Sequence, residues 1–327
     1  MIRLIGAGAV GTTLMAIAAR AGREPLALQI RAKDRAAFEE CDTLRVERRR
    51  GPLVAPRPVL REDDDYSDVD YLLLAIKHPQ LDAVIDTLPP LPPNCTVVST
   101  LNGLSALRRL RERLPRTRVV PMTVMFNAQL LSPLHTELTT HAQLYIGGDD
   151  PRLLRAFAAP GVRVRSSNGE AAAWGKLLIN LANAICALTH ATFRDLLTQP
   201  DLRALYVAVL DEAVGVLDAT GTAYKLPMPI PYRLYRAMLA GRTQLPWHFA
   251  RMRNGLGDGA YPSMVADVEE GKATEVNDLN GEIVRLARAH RLAAPLNAAL
   301  VARVEARIGQ APPPYDEEAV LRRLLLN

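Results

Sequence analysis

The chain opens with Met1-Ile-Arg-Leu-Ile5-Gly6-Ala7-Gly8-Ala9-Val10-Gly11, and an apolar run continues to Arg20. A short buried strand, a G-x-G-x-x-G turn and a helix, in that order, are typical of a dinucleotide-binding unit. We expect Gly6 to permit the tight turn, Gly8 to let a pyrophosphate approach the backbone, and Gly11 to let helix pack on strand. The N–H groups at the helix start would hold the phosphates. The alternative is a glycine turn that binds nothing.

The composition is that of a soluble globular protein. The 327 residues are enough for two ordinary domains, with 49% hydrophobic and 23% charged residues. The net charge of +5 suits anionic small ligands, whereas only 5% of the residues are aromatic. Basic and aromatic residues do not alternate as a nucleic-acid platform requires. We interpret the arginine-rich stretch 45–50 as a solvated turn between strands rather than an RNA or membrane contact.

Cysteine usage and hydropathy predict a cytoplasmic protein. Cys41, Cys95 and Cys186 are odd in number and far apart, which is typical of reduced thiols. A signal peptide would have to include the first strand. The apolar run 177–193 contains polar residues and is too short to span a bilayer, so we expect a buried helix. No metal is expected, because the six histidines show no ligand-like spacing.

The pattern of apolar runs divides the chain near residue 168. Strand-like runs occupy the first part, at 1–5, 25–30, 71–76, 94–99, 118–124, 142–146 and 162–164. Helical patterns follow, at 170–193, 201–219, 276–290 and 297–308. The fold class is therefore α/β, with a Rossmann domain over 1–168 and an all-helical substrate and dimerisation domain over 169–327. The sequence does not settle the oligomeric state, although helical second domains of this kind often pair, as a homodimer through this domain would.

The end of the second predicted strand indicates NADP(H) rather than NAD(H). Positions 28–33 contain no acidic residue that would bond the ribose 2′-hydroxyl, and Arg31 follows the strand directly. A guanidinium at this point would pair with a 2′-phosphate through charge-assisted hydrogen bonds. The alternative is an exposed arginine at the start of a loop, and Asp34 lies close by in sequence.

Three polar side chains follow the next predicted strands. Lys77 and Gln80 come after the strand 71–76, and Asn102 comes after the strand 94–99. In open α/β sheets, ligands lie outside the carboxyl ends of the strands, so all three are candidate ligand contacts. A solvated lysine and an ordinary Asn-Gly turn are the alternatives.

The helical half contains further candidates. Lys176 and Asn180 are four residues apart on one helix face and interrupt an apolar segment. Desolvation should lower the pKa of the lysine and suit it to donate a proton to a ketone. Otherwise Lys176 extends to water and Asn180 caps a neighbouring helix. Ser263 is either a substrate contact or a helix N-cap, and Glu275 is either a site carboxylate or a first-turn acid stabilised by the helix dipole.

Taken together, these residues resemble the ketopantoate reductase family, the 2-dehydropantoate 2-reductases of the 6-phosphogluconate-dehydrogenase-like superfamily. The resemblance runs nearly end to end. It includes the Gly6–Gly11 motif, Arg31, Lys77 with Gln80, and Leu101-Asn102-Gly103. In the second half it includes Trp174-Gly-Lys176 with Asn180, Ser263, and Glu275 with Leu279-Asn280-Gly281.

The resemblance implies a reaction and a role for each residue. The family reduces a 2-oxo acid to a 2-hydroxy acid with NADPH in pantothenate biosynthesis. Lys176 matches the family's general acid, and Glu275 the carboxylate that holds the substrate hydroxyl. Asn102 matches the asparagine that bridges the nicotinamide ribose and the substrate. Asn180 and Ser263 match substrate-binding positions, and Lys77 and Gln80 match positions near the cofactor.

Some positions depart from the family's usual pattern on the substrate side. Ala184 stands where a second asparagine is usual, and Pro262 stands where a serine is usual. The segment 225–256 matches no known pattern. These departures keep open an opine- or imine-type reductase, or a keto reductase of a specialised pathway. A non-catalytic NADP sensor is a more remote alternative, since a sensor needs only the first domain.

Overall fold

A computed structural model describes residues 1–49 and 51–309. The chain forms two compact units. The first contains Met1–Leu101 and Ala106–Gly169, and the second contains Asn102–Ser105 and the chain from Glu170 onward. The segment Asn102–Ser105 thus belongs with the helices, although it lies far from them in sequence.

A twisted, mostly parallel sheet of eight strands dominates the first unit. Its strands, in spatial order, are β12 (Arg163–Ser167), β11 (Gln143–Gly147), β8 (Arg118–Val124), β7 (Thr96–Ser99), β6 (Tyr71–Leu74), β1 (Ile2–Ile5), β2 (Leu26–Gln29) and β5 (Val59–Arg61). The strands from β5 to β8 are parallel, β11 is antiparallel to β8, and β12 is parallel to β11. Strands β6 and β7 are buried along their whole length, as expected where both faces are covered. The predicted Rossmann fold is confirmed.

A second sheet of four strands is a feature that the sequence analysis did not locate. It consists of β4 (Leu53–Pro56), β3 (Thr43–Glu47), β10 (His135–Leu138) and β9 (Ala128–Ser132). Helix α1 (Ala9–Ala21) packs against this sheet. The predicted turn over 45–50 begins too early, because Arg45 belongs to β3 and the connection to β4 starts at Arg48. Arg50 lies outside the described residues.

The helices of the first unit are short apart from α1. They are α2 (Arg35–Glu39), α3 (Leu81–Thr87), α4 (Ser105–Arg113), whose first residue belongs to the second unit, and α5 (Pro151–Ala156). Helix α1 ends at Gly22, which adopts the left-handed conformation at φ +63° and donates its N–H to the Ala18 carbonyl.

The second unit is helical. Its helices are α6 (Gly169–Asn180, whose first residue belongs to the first unit), α7 (Ala182–Thr189), α8 (Phe193–Thr198), α9 (Pro200–Ala219), α10 (Tyr232–Ala240), α11 (Leu245–Asn254), α12 (Ser263–Glu269), α13 (Asn280–Ala289) and α14 (Pro295–Glu305). The segment 225–256, which matched no pattern, contains α10 and α11. A Glu212 carboxylate from α9 accepts the N–H groups of Leu296 and Asn297 and thereby caps the start of α14.

The prediction of one helix over 170–193 is wrong, because local backbone signals divide it into α6, α7 and the start of α8. A turn at Leu181 separates α6 from α7. His190 ends α7 in the left-handed conformation at φ +52°. Thr192 then starts α8 through a capping box with Asp195.

The apolar residues of α6 and α7 lie mostly in the core of the protein. The run Gly169–Thr189 has 21 residues and a mean hydropathy of 1.4 over its most apolar window, so length and composition alone would permit a membrane span. However, 78% of that window is buried within the protein. The expectation that this run is buried therefore fits the structure, although the run is longer than predicted and forms two helices.

Candidate active site

The turn after β1 has the geometry that a dinucleotide needs. Gly6 has φ +105°, and a Cβ atom on it would lie 2.4 Å from the Ala75 carbonyl oxygen. A Cβ on Gly11 would lie 1.9 Å from the Gly6 carbonyl oxygen. By contrast, a Cβ on Gly8 would meet no atom within 4 Å. Gly6 and Gly11 are thus required by the protein's own packing, whereas the space at Gly8 is open to a ligand.

The start of α1 fits a pyrophosphate. Gly8 occupies the N-cap position, and no side chain caps the helix. Its first turn contains no acidic residue that would repel an anion. Uncapped N–H groups and the positive end of the helix dipole are the features that bind phosphate groups at such turns. The residues present therefore fit a dinucleotide cofactor.

Arg31 lies beyond the carboxyl end of β2, where the ribose of a bound dinucleotide would be read. Its side chain is 72% exposed, and its Nε donates to the Asp34 carboxylate at 2.6 Å. An ion pair this exposed contributes little to stability. Asp34 therefore orients one edge of the guanidinium, and the terminal nitrogens hydrogen-bond to no other described residue.

Lys77 and Gln80 form the turn after β6. The Gln80 side-chain oxygen accepts the Lys77 backbone N–H at 3.1 Å. This bond caps the short 3-10 helix His78–Gln80. Gln80 thus has a local structural role, and the contact of either residue with cofactor stays a prediction.

Asn102 and Glu275 meet within the second unit, although 173 positions separate them. The Asn102 Nδ2 group donates to Glu275 Oε2 at 2.8 Å. Glu275 stands at the N-cap position of the 3-10 helix Val276–Asp278, but its side chain makes no capping hydrogen bond there. Glu275 thus bonds to Asn102 rather than capping its own turn, and its role as a site carboxylate stays a prediction.

Lys176 lies in α6, and its charge is influenced by Glu275. Burial lowers the pKa of the Lys176 ammonium from 10.5 to about 8, and the Glu275 carboxylate partly opposes this by raising it. The residue as a whole has intermediate exposure. The lowered pKa agrees with the expected desolvation of the ammonium, and the role of Lys176 as proton donor stays a prediction.

The neighbours of Lys176 fix its helix in place. A Cβ on Gly175 would lie 1.8 Å from the Lys225 carbonyl oxygen, and the Lys225 N–H donates to the Ala171 carbonyl. The backbone at residue 225 therefore lies directly against α6. Asn180 is the last residue of the same helix, one turn beyond Lys176, and it has intermediate exposure.

Ser263 lies at the exposed start of α12. Pro262 occupies the N-cap position and Ser263 is the first helical residue, so Ser263 is not the N-cap. In the described part of the chain, the site brings together Asn102, Lys176 and Glu275, with Asn180 on the helix face of Lys176. Ser263 forms no hydrogen bond to any of these four residues.

Comparison with known proteins identifies the group to which these features belong. Residues 2–151 match the family described as ketopantoate reductase PanE/ApbA, and residues 168–307 match its C-terminal domain. A 2-dehydropantoate 2-reductase from Mycobacterium tuberculosis H37Rv is 30% identical over 310 residues, which are 92% of this chain and 95% of that protein. The chain belongs to the ketopantoate reductase family. The resemblance seen in the sequence is thereby confirmed.

Other members of the ketopantoate reductase family match over similar lengths. A 2-dehydropantoate 2-reductase from Pyrobaculum aerophilum is 26% identical, over 94% of this chain and 98% of its own. The crystal structure of a PanE/ApbA family ketopantoate reductase from Ralstonia eutropha JMP134 is 27% identical, with a TM-score of 0.76 over 94% of this chain and 98% of that one. A D-mandelate dehydrogenase solved with NADH and anilino(oxo)acetate shares the fold, with a TM-score of 0.75 at 20% identity over 94% and 98% of the two chains.

Membership of the ketopantoate reductase family confirms the enzyme class. The protein is an oxidoreductase acting on CH–OH groups, in a family of dinucleotide-dependent reductases.

Two polar residues near the site escaped the sequence analysis. Ser105 and Asp278 form a hydrogen bond across the same two segments that Asn102 and Glu275 join. Their positions are 173 residues apart, and neither belongs to a local motif, so no spacing in the sequence indicates that they meet.

Proposed function

We propose that this protein reduces 2-dehydropantoate (ketopantoate) to pantoate with NADPH, and that Lys176 is the general acid. The observation that carries the proposal is the convergence of Asn102, Lys176 and Glu275 in one unit, with Glu275 influencing the charge of Lys176. The relatives from Mycobacterium tuberculosis and Pyrobaculum aerophilum support the choice of substrate, because both are 2-dehydropantoate 2-reductases.

The lysine is suited to proton donation near neutral pH. With a pKa of about 8, the Lys176 ammonium is mostly protonated at pH 7 and yet releases its proton readily. In the proposed reaction NADPH, when bound, supplies a hydride to the carbonyl carbon of the substrate. Lys176 gives a proton to the carbonyl oxygen, so that the ketone gains both hydrogens of the alcohol and the lysine is left as a neutral amine. A cation placed in advance also stabilises the negative charge that develops on this oxygen.

Glu275 and Asn102 orient the substrate in this proposal. Glu275 accepts a hydrogen bond from the substrate hydroxyl, and Asn102 bridges the substrate and the ribose of the cofactor. The hydrogen bond between the two side chains supports these roles, because it holds the carboxylate in one orientation. Asn180 and Ser263 complete the proposed substrate contacts.

Most of the proposed cofactor contacts lie in the first unit. We assign the pyrophosphate to the Gly6–Gly11 turn, where the open space at Gly8 and the uncapped start of α1 support the assignment. Arg31 is proposed to bind the 2′-phosphate, because the terminal nitrogens of an exposed guanidinium suit such a group. Lys77 and Gln80 are proposed to lie near the cofactor.

A substrate panel tests the proposal. The purified protein is mixed with NADPH and ketopantoate, with other 2-oxo acids, and with the same acids in the presence of an amine, and the loss of NADPH absorbance is followed. We expect ketopantoate to be reduced most efficiently. Reduction only with an amine present would instead establish an imine-type reductase, and no consumption of NADPH with any compound would contradict the proposed activity.

A further inference from the structure

We propose that Ser105 and Asp278 are positioning residues that hold the Asn102–Glu275 pair in register. This inference rests on the proposed function, because it assumes that the Asn102–Glu275 pair binds the substrate of that reaction. It assigns a role to a serine and an aspartate that join the same two segments as Asn102 and Glu275.

The first observation is the hydrogen bond between the two side chains. The Ser105 hydroxyl donates to Asp278 Oδ1. Ser105 is the first residue of α4 and is only 7% exposed, so this bond is largely shielded from water. A hydrogen bond to a carboxylate is about twice as strong as one between neutral groups, and shielding strengthens it further.

The second observation is a close backbone contact between the same segments. Gly103 has φ +75°, and a Cβ atom on it would lie 2.2 Å from the Asp278 carbonyl oxygen. Only glycine allows this approach, since any side chain would collide with the backbone and would strain the left-handed conformation. The two segments therefore touch at Gly103 as well as through Ser105.

The third observation connects Asp278 to Glu275. The N–H groups of Asp278 and Leu279 donate to the Glu275 carbonyl oxygen at 3.0 and 3.1 Å. A shift of Asp278 thus moves Glu275 with it. Asn102 and Ser105 are three residues apart, as are Glu275 and Asp278, so two side-chain bonds join the segments in the same register.

The Ser105–Asp278 bond can stabilise the position of Glu275. A single amide–carboxylate hydrogen bond is weak enough for a competing substrate to displace it, and the carboxylate would then be free to rotate away. A displacement of about 1 Å in an active site can lower the rate about 10²-fold. The Ser105–Asp278 bond restrains the backbone under Glu275, so that the carboxylate keeps its place beside Lys176 when Asn102 turns to a ligand.

The test compares Ser105→Ala with Ser105→Thr, which keeps the hydroxyl, and with Asp278→Asn, which keeps an acceptor and the backbone. Thr198→Ala is the matched control, because it removes a hydroxyl that, among residues 1–49 and 51–309, hydrogen-bonds to the Arg194 carbonyl and to nothing else. The first readout is steady-state reduction of ketopantoate. The second is the titration of the Lys176 amine, followed by its rate of acylation at each pH and by peptide mass spectrometry.

We expect Ser105→Ala to raise KM for ketopantoate roughly tenfold, the scale of one lost hydrogen bond. We expect the Lys176 titration to move to lower pH, because a displaced Glu275 no longer raises the pKa of Lys176. Ser105→Thr should restore both values, Asp278→Asn should give an intermediate change, and Thr198→Ala should match the wild type. In a Glu275→Gln background, Ser105→Ala should cause little further change in either readout.

Two results would overturn the inference. One is a Ser105→Ala protein with the KM and the Lys176 titration of the wild type. The other is an effect of Ser105→Ala that persists undiminished in the Glu275→Gln background, which would mean that the serine acts through general stability. If the wild type reduces no 2-oxo acid, the proposed function fails, and the amine titration alone still decides whether Ser105 positions Glu275.

Discussion

The chemistry proposed here depends most on the surroundings of one amine. Lys176 lies among apolar residues of α6, and the carboxylate of Glu275 balances part of the cost of burying its charge. Burial alone would drive the amine toward its neutral form, whereas a nearby carboxylate alone would hold its proton too firmly. The combination leaves a pKa near the pH at which an enzyme works, which is the condition for efficient proton donation.

The pH dependence of the reaction follows from this balance. Because the acid form of Lys176 donates the proton, we expect kcat/KM for ketopantoate to be high below pH 8 and to fall as the pH rises through about 8. Glu275→Gln removes the carboxylate that raises this pKa, so the fall should begin at lower pH. Glu112→Gln, which neutralises an exposed carboxylate in α4, is the control. A fall at unchanged pH in Glu275→Gln would argue against coupling between the two groups.

Cofactor preference is the second property assigned to a single residue. Arg31→Ala should weaken NADPH binding at least tenfold and leave NADH binding nearly unchanged, because only NADPH carries the 2′-phosphate. Arg116→Ala is the matched control. Arg116 is exposed and precedes β8, so it lies at the amino-terminal end of a parallel strand, whereas Arg31 follows the carboxyl end of β2. Titration of each protein with both cofactors measures the effect. Equal losses for the two cofactors would show that Arg31 does not read the 2′-phosphate.

At the scale of elements, different glycines of the turn between β1 and α1 serve packing and ligand binding. Gly11→Ala should lower the melting temperature markedly, because its Cβ would collide with the Gly6 carbonyl at 1.9 Å. Gly8→Ala should keep the wild-type melting temperature, because its Cβ meets nothing within 4 Å, but should weaken NADPH binding. Thermal unfolding with and without NADPH distinguishes the two. Undiminished NADPH binding by Gly8→Ala would contradict the placement of the pyrophosphate.

The strands of the large sheet were predictable because they are buried on both faces. Runs such as Tyr71–Leu74 and Thr96–Ser99 are continuous and apolar, so their pattern has few other interpretations. The strands of the second sheet are different. The strand Thr43–Glu47 alternates buried and exposed residues over only five positions, a short signal that was not predicted as a strand. The strand Ala128–Ser132 is almost fully exposed, so its hydrophobic pattern is weak. Their pairing also depends on segments that are far apart in sequence.

The helices of the second half were also only partly predictable from the sequence. Periodicity predicted that the region after residue 168 is helical, but it did not indicate the break at Leu181 or the stop at His190, which depend on local backbone conformation. For the site, the spacing of Lys176 and Asn180 was readable because it is local. The meeting of Asn102 with Glu275 was not, since 173 positions separate them, and it was expected only through resemblance to a family.

In the molecule as a whole, the candidate residues fall into two groups. The Gly6–Gly11 turn, Arg31 and Gln80 belong to the first unit, whereas Lys176 and Glu275 belong to the second. Asn102 also belongs to the second unit, although the strand before it is part of the sheet. In the proposed reaction, most cofactor contacts therefore lie in the first unit and the proton donor lies in the second. Substitutions in one group should leave the other function measurable.

The direct test of the account removes the amine and measures both functions. Ketopantoate reduction and NADPH binding are compared at pH 7 for the wild type, for Lys176→Ala, and for Lys272→Ala, a control in which an exposed lysine paired with Glu270 is lost. We expect Lys176→Ala to bind NADPH like the wild type but to reduce ketopantoate about 10²-fold more slowly or worse. Lys272→Ala should match the wild type in both measurements. Turnover by Lys176→Ala at the wild-type rate would contradict it.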